Sequence, residues 1–515
     1  MPVHASGWGS PRGRVLSRAG IGVLSWVVAP GLVDEAVGDG LAWEMRLRAL
    51  PARLGVYFVL GLCLFSYLPY GQVLRELTAG LEPPLGAAGW RVPASTALSG
   101  VRRRVGVTPL ESLFGRLCSA LSPGRSPWSH ICGLLAVAWD GTTVAAADSP
   151  QNAAAFGKPG VGGRRAAGRE GQQRAAAGYP QLRLVTLVAC GTRALAGAAF
   201  GPVRGQGTGE QALAGQLLGR LRPGMLLLAD RSFYSYQLWT AAAATGAGLL
   251  WRVKTGTHLP AVAELPDGSW LAHVNDPRAV TTRAHKNRTR RRRGSALPPD
   301  ATPLPGITVR VIEFTLTVTT DDGRARTERY RLITTLTGWR ACPAAELAAG
   351  YAWRWATETG YREFKTYLRG PGRILRSRTP ALARQELWAY LVIYQAIRAV
   401  ITRTAAGAGI DPDRISFTAT LHAVRRTIPA ARTRMTTALA TTETEILTCL
   451  VPQRDGRVCP RAVKKPVSPY PSRRNRTGPL SQHAHHAITI TTPRTPPPTP
   501  TDQPRHPPQP PANPP

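Results

Sequence analysis

The sequence predicts an α/β chain, a mixed sheet carrying a β-rich insertion, preceded by a helical N-terminal region. Three observations carry this. Short apolar runs bounded by turn residues begin near residue 130 and alternate with helical stretches. Between 255 and 342 that rhythm yields to alternating segments such as "ITVRVIEFTLTVTT" and "TERYRLITTLT", which have the period of antiparallel strands. Ahead of both, the apolar segments 54–68 and 71–81 read as helices separated by Pro69.

Taken in order, residues 1–125 predict a helical domain that grips DNA through the basic patch "VRRRVG" at 101–106. Its run "LGVYFVLGLCLFSYLP" is shorter than the roughly 20 residues needed to span a bilayer, so it predicts a core helix and no membrane association. The stretch "AGIGVLSWVVAPGLV" follows Arg12, Arg14 and Arg18 like a secretion signal, but leads to Asp34 and Glu35 instead of a small-residue cleavage site. Residues 126–400 predict the α/β domain. Its strands are "GLLAVAWDG" ending at Gly141, "QLRLVTLVAC" at 181–190, "RALAGAAFGPV" at 193–203, "MLLLAD" ending at Asp230 and "GLLWRVK" ending at Lys254. Helices fall at 210–221 and about 235–246. The insertion, 255–342, contains "RAHKNRTRRRRG" at 283–294, which suits a solvated loop or a phosphate-tracking loop equally well. The helix "QELWAYLVIYQAIRAV" at 385–400 closes the domain, and a helical segment occupies 401–450. Residues 451–515 predict a basic, Pro-rich, disordered tail: 12 of the last 23 residues are Pro, and His483, His485 and His486 fall in it as solvated side chains.

Composition narrows the partner. The net charge is +35, and of the 65 basic residues 59 are Arg, the side chain that holds phosphate in a two-pronged fork. Base-composition bias of a high-GC genome accounts for part of this, and a polyanionic partner, nucleic acid above all, accounts for the rest. The seven cysteines are scattered and never spaced as CxxC, which predicts a reducing, cytoplasmic setting and no zinc site.

The stretch "YAWRWATETGYREFK" at 351–365 is the most informative. At about 100° per residue, Tyr351, Arg354, Glu358 and Lys365 fall within a stripe roughly 60° wide. A phenol, a guanidinium, a carboxylate and an ammonium aligned among Trp353, Trp355 and Phe364 suit an active-site wall or a surface helix with paired charges. Gly360, in mid-helix, costs about 1 kcal/mol against Ala, so packing must hold this helix. Asp140 and Asp230 each end an apolar strand, where open α/β sheets present ligands. Asp140 also suits an Asp-Gly turn and Asp230 a helix cap. Two strand-end carboxylates and a helix carboxylate on a basic protein are what phosphodiester cleavage by two divalent cations requires. Paired carboxylates serve glycosidases too, but the charge and the Arg/Lys stripe argue against a sugar substrate.

On "WDGTTV", "LLLADRSFYS" and above all Tyr-x2-Arg-x3-Glu-x6-Lys, met without a gap at Tyr351, Arg354, Glu358 and Lys365, the chain resembles the DDE transposases of the insertion-sequence-four group. The segments "LPARLGVYFVLGLCLFSYLPYGQVLREL" and "DPDRISFTATL" extend the similarity over roughly residues 20–450. The resemblance implies a ribonuclease-H-like fold with a β-rich insertion ahead of the Glu helix. It implies that Asp140, Asp230 and Glu358 ligate two Mg2+ or Mn2+ ions. It further implies that Arg354, Lys365 and Tyr351 contact phosphates near the cleaved end, and that Trp270 or Trp339 holds a flipped base. The partners implied are the element's terminal inverted repeats, target DNA and a second copy of the chain in the synaptic complex. A catalytically silent DNA-binding descendant is the alternative.

Overall fold

The computed structural model describes residues 15–16, 18–39, 50–81, 84–87, 89–120, 128–159, 178–293, 303–321, 323–429, 434–452, 457–458 and 482–492. Helices come first: α1 (Pro30–Asp39), α2 (Ala52–Leu64), α3 (Tyr70–Thr78), α4 (Ser95–Val105) and α5 (Thr108–Ala120). From Leu54 through Leu64 every residue of α2 is buried, as expected of a helix apolar on all sides. No helix among the described residues is long and apolar enough to cross a membrane.

The α/β part then builds one mixed sheet. Its first half comprises β1 (Leu134–Ala145), α6 (Pro150–Phe156), β2 (Gln181–Ala189), β3 (Leu195–Pro202), α7 (Glu210–Gly215), β4 (Met225–Ala229), α8 (Tyr236–Ala243) and β5 (Gly248–Arg252). The insertion follows as β6 (Trp270–Asn275), α9 (Pro277–Arg292), β7 (Gly306–Thr320) and β8 (Ala325–Thr334). After α10 (Ala344–Gly350) the chain forms a 3-10 turn at Tyr351–Arg354, α11 (Trp355–Arg362) and a π-helical segment at Glu363–Leu368. Helices α12 (Pro380–Ala408), α13 (Phe417–Thr427) and α14 (Met435–Leu447) precede a last long strand, β9 (Gln482–Ile490).

Across the sheet the order is β9, β7, β8, β5, β4, β1, β2, β3. The pairs β1 with β4 and β4 with β5 are parallel, and the other pairs in this order are antiparallel. Alternation along β1 serves two layers: Val137 and Trp139 pack with Leu213 and Trp239 on one face, and Ala136 and Ala138 with Leu347 and Tyr351 on the other. This is the mixed sheet that the sequence predicts, in the ribonuclease-H-like form that the resemblance implies, with the β insertion between β5 and the helix that bears Glu358.

Helix α12 is longer than the expected 385–400. It is 29 residues, about 44 Å at 1.5 Å per residue, and one hydrophobic cluster joins it to α1 through α5 and to α13. The N-terminal helices therefore share a core with α12. Its buried Gln395 accepts from the Leu195 N–H (2.7 Å) and donates to the Leu195 C=O (3.0 Å), acting as a strand partner at the β3 edge.

Several expectations need correction. Arg102 of the "VRRRVG" patch is 1 % exposed; its guanidinium donates to Gln385, Tyr70 and Ser377, so it ties α4 to α12 and is withdrawn from any DNA surface. The basic run of the insertion lies largely in helix α9, where a loop was expected. The expected helix at 210–221 ends at Gly215 and continues as a 3-10 turn at Leu218–Arg220. Residues 482–490, expected to be disordered, form β9 and pair with β7 from Ala484 opposite Thr320 to Ile490 opposite Phe314. The expectation fails there because alternation in "AHHAITI" is weak and its partner strand is remote in the sequence, whereas the Pro-rich end beyond 492 lies outside the described residues.

β9 covers the outer edge of the C-terminal half of β7, and β6 covers the N-terminal half of that edge. An uncovered edge strand presents unpaired backbone groups to other chains. Ending the chain at residue 480 is therefore expected to lower Tm by a few degrees and to promote aggregation. Thermal scanning and size-exclusion chromatography check this, and an unaltered truncated protein would show that β9 contributes nothing.

Candidate active site

The register of the parallel strands places the first two carboxylates. Ala138 of β1 is opposite Leu228 of β4, the last pair between them, and Asp140 and Asp230 each lie two residues further on. Strands are about 4.8 Å apart, and equal offsets in a parallel pair bring both residues level on one face. That face is the one carrying Ala136, Ala138, Leu226 and Leu228. The Asp140 carboxylate accepts from the Gly141 N–H (2.8 Å) and the Thr357 hydroxyl (3.2 Å). Desolvation by burial is the largest influence on it and raises its pKa; the Gly141 hydrogen bond, Arg354 and Thr357 oppose this, and the charge of Asp230 adds to it.

Helix α11 lies along β1 on the same face. Thr357, Gly360, Tyr361 and Phe364 form its inward stripe, at the i, i+3, i+4, i+7 spacing of a packed helix. Tyr361 donates to the Asp140 backbone C=O (2.5 Å) and accepts from Thr186 of β2 (2.9 Å). Gly360 faces Tyr394 of α12: a Cβ there would stand 3.1 Å from the Tyr394 hydroxyl, so the glycine permits a close approach between the two helices. Beyond Arg362 the turns widen, and the Arg369 N–H reaches the Phe364 C=O five residues back (3.2 Å). Buried Glu363 anchors this segment, accepting from Arg193 (2.7 Å) and Tyr394 (3.1 Å).

The four residues of the Tyr-Arg-Glu-Lys spacing are thus spread over three helical pitches, where a single α-helix was expected. Tyr351 is buried and donates to the Ala229 C=O at the end of β4 (3.2 Å), beside Asp230; burial raises its phenol far above the ordinary range. Arg354 is 3.7 Å from Glu358, and its Nε is buried without a hydrogen-bond partner. Burial opposes its charge, and against this the Tyr351 phenol and then Asp230, Asp140 and Glu358 favour it, so this guanidinium lies within the field of all three carboxylates. Lys365 donates to Thr142 of β1 (2.9 Å), and burial lowers its pKa.

The register sets Asp140 and Asp230 level on adjacent strands, and Glu358 lies 3.7 Å from Arg354, whose charge all three carboxylates influence. Among the described residues, no three acidic, His or Cys groups converge tightly enough to hold a metal ion. The donor set nevertheless suits a hard cation, being entirely carboxylate, and the desolvated Asp140 lacks full compensation for its charge. Of the two tryptophans singled out, Trp270 is a core residue, 4 % exposed and donating to the Leu259 C=O (3.0 Å), so its face is not open to a base. Trp339 is half-buried, with the Arg340 guanidinium 4.7 Å over its ring.

Local sequence reasoning missed Thr357 and Tyr361, although their spacing on the inward stripe could have revealed them. It also missed Glu210, at the start of α7. The Glu210 carboxylate lies over Gly141, where a Cβ would come within 2.4 Å of it; burial raises its pKa, and Asp140 and Asp230 add to this after the opposing effect of Arg183. No short-range pattern connects position 210 with 141.

A carboxyl whose folded pKa is raised favours the protonated form, so ionised Asp140 costs the folded state free energy, and the cost grows as pH rises through that pKa. In chelator at neutral pH, Asp140→Asn is expected to match or exceed the wild-type Tm. The difference should vanish on acidification, starting above the ordinary carboxylate range. A lower Tm for the variant at neutral pH would show that Asp140 is stabilised as an anion.

Comparisons with known proteins bear on identity. Residues 18–115 match the family described as the insertion element 4 transposase N-terminal region, and residues 132–395 match the transposase DDE domain. The chain is 26% identical over 450 residues to transposase InsG for insertion sequence element IS4 of Escherichia coli strain K12, covering 86% of this chain and 92% of that one. It is 28% identical over 207 residues to putative transposase InsZ of the same strain, covering 40% of this chain and 62% of that one. Among solved structures, the piggyBac transposase synaptic complex with hairpin DNA aligns over 84% of this chain and 85% of that one, with TM-score 0.39 and 8% identity. With the DDE domain spanning more than half its length and the insertion-element N-terminal region ahead of it, the chain belongs to the DDE transposases of the IS4 family.

Proposed function

We propose that the protein cuts DNA at the ends of its insertion sequence and joins the freed 3′-hydroxyl to target DNA, with Asp140, Asp230 and Glu358 as the catalytic carboxylates. The observation that carries this reading is the placement of Asp140 and Asp230, level on adjacent parallel strands, with Arg354 within the field of both and 3.7 Å from Glu358. These three carboxylates would hold Mg2+ or Mn2+, two ions per site, which supply Lewis-acid activation of the attacking oxygen and charge neutralisation at the leaving oxygen. In cleavage the oxygen of water forms a bond to phosphorus as the bond to the 3′-oxygen breaks, and that oxygen leaves as the 3′-hydroxyl. In strand transfer the 3′-hydroxyl attacks a target phosphate and displaces another 3′-oxygen. The number of phosphodiester bonds is conserved in this second step.

The chain's own residues supply grip and position. Arg354, within the field of the carboxylates, can turn its fork to a phosphate once other cations neutralise them. Lys365, donating to Thr142 two residues beyond Asp140, reaches the neighbouring phosphate along the same strand face. Tyr351 holds the end of β4 and so the backbone of Asp230. The terminal inverted repeats and target DNA are the proposed partners, and a homodimer in the cytoplasm is the proposed working form, one chain for each end.

Labelled DNA carrying the gene's flanking ends tests the reading. Wild type is expected to cut at the ends only with Mg2+ or Mn2+ and to leave a 3′-hydroxyl. Glu358→Gln should bind without cutting. Cleavage by that variant, or cleavage that survives chelation, would overturn the assignment, and binding without cutting by both proteins would favour a silent DNA-binding role. Arg354→Ala and Lys365→Ala are each expected to weaken end binding by about 1–3 kcal/mol. Unchanged affinity in a filter-binding or anisotropy titration would remove them from the phosphate contacts.

A further inference from the structure

Helix α9 has no structural task that its composition explains. None of its residues, Pro277 to Arg292, is buried, and it contains no acidic side chain. Most of the stability of a helix in a folded protein comes from packing an apolar face, and here that face is absent: only Ala279, Arg283, Asn287 and Thr289 are even partly covered. The helix is nonetheless firmly rooted. Asp276 caps it by accepting from the Arg278 N–H (2.8 Å), the Asp276 N–H donates to the Pro305 C=O (2.7 Å), and His273 bonds the Leu304 C=O (3.1 Å).

Four of its basic side chains align on one side. At about 100° per residue, Arg278, His285, Arg288 and Arg292 fall within roughly 80° of one another, away from the partly covered Ala279, Arg283 and Asn287. The partly covered Thr289 stands at the edge of the stripe, while Lys286, Arg290 and Arg291 extend the charge around the helix. All four aligned side chains are exposed, and their three arginines make no ion pair among the described residues. The stripe is about 21 Å long, the axial rise of roughly six base pairs of duplex DNA. Like charges aligned in this way repel one another, which favours an anionic partner of matching length. Partial desolvation and, after it, the Asp276 charge raise the Tyr236 phenol, which places the root of the helix near the first turn of α8.

We propose that the outward stripe of α9, Arg278, Arg288 and Arg292, docks on the phosphate backbone of duplex DNA outside the cleavage site, without reading its sequence. The stripe offers guanidinium forks suited to two-pronged phosphate contacts, and phosphate and sugar take roughly half to two-thirds of the hydrogen bonds in protein–DNA complexes. This rests on the transposase reading above, yet it concerns binding and can fail separately from it.

The test measures affinity for a duplex of several helical turns that lacks the element's ends, across a KCl series. Wild type is compared with Arg278→Gln/Arg288→Gln/Arg292→Gln and with the corresponding Lys triple variant. Gln and Lys are good helix formers, and circular dichroism and Tm confirm that all three proteins are folded. Removing one phosphate-binding cation makes the slope of log K against log salt shallower by about one, so the Gln variant is expected to be shallower by about two to three. The Lys variant should keep the wild-type slope. Equal slopes for wild type and Gln variant would overturn the proposal. So would a Gln variant that loses affinity for polyglutamate but not for the duplex, since that outcome describes a surface for an acidic protein. End cleavage in Mg2+ is measured alongside on a short end duplex: if wild type fails to cut, the transposase reading fails, while the salt slopes still decide the role of α9.

Discussion

The hydroxyl of Tyr361 is the contact on which the arrangement of the active site depends. It donates to the backbone of Asp140 and accepts from Thr186, and so pins α11 across two strands at the point where Asp140 emerges from the sheet. Thr357, one turn earlier, holds the Asp140 side chain itself, and Lys365, one turn later, reaches Thr142. Three successive turns are thus tied to three positions of β1 and β2. Glu358 is placed by its helix, whose sliding and rolling these contacts oppose.

That pinned helix is braced from behind by α12. Glu363 receives Arg193 from the β2–β3 turn and Tyr394 from α12, and Arg398 of α12 lies 3.7 Å from it. Buried ion pairs of this kind contribute little net stability, since desolvation offsets most of their attraction, but breaking one leaves a charge stranded. They fix position more than they add free energy. At the other end of α12, Arg102 and Gln385 do the same for the N-terminal helices. One long helix therefore relates the N-terminal region, the sheet edge and α11, and the N-terminal helices serve as part of the frame of the candidate site.

Charge is divided between that frame and the surface. Arg102, Arg310 and Arg398 are fully buried, with Arg310 donating to Ser269 and Cys342. They bind parts of the protein to one another. Other arginines, Arg278, Arg288 and Arg292 of α9 among them, form no ion pair among the described residues and give the surface its excess. A net charge of +35 is thus an indicator of nucleic-acid binding only after the buried share has been set aside.

The sequence by itself determined what depends on near neighbours. The strand character of "LLAVAWD" and "MLLLAD", the positions of Asp140 and Asp230 at their ends, and the spacing from Tyr351 to Lys365 are local features, legible as periods of about 2 and 3.6 residues. Tertiary structure alone decided what depends on distant partners. It set Asp140 level with Asp230 through the β1–β4 register and brought Glu210 over Gly141. It buried Trp270 and Arg102, widened the helix after Arg362, and recruited residues 482–490 to the sheet. The physical reason is the same throughout. Alternation and helical spacing report which side of an element is apolar, whereas the group that meets a given side chain from a remote part of the chain is fixed by packing, and packing leaves no periodic mark in the sequence.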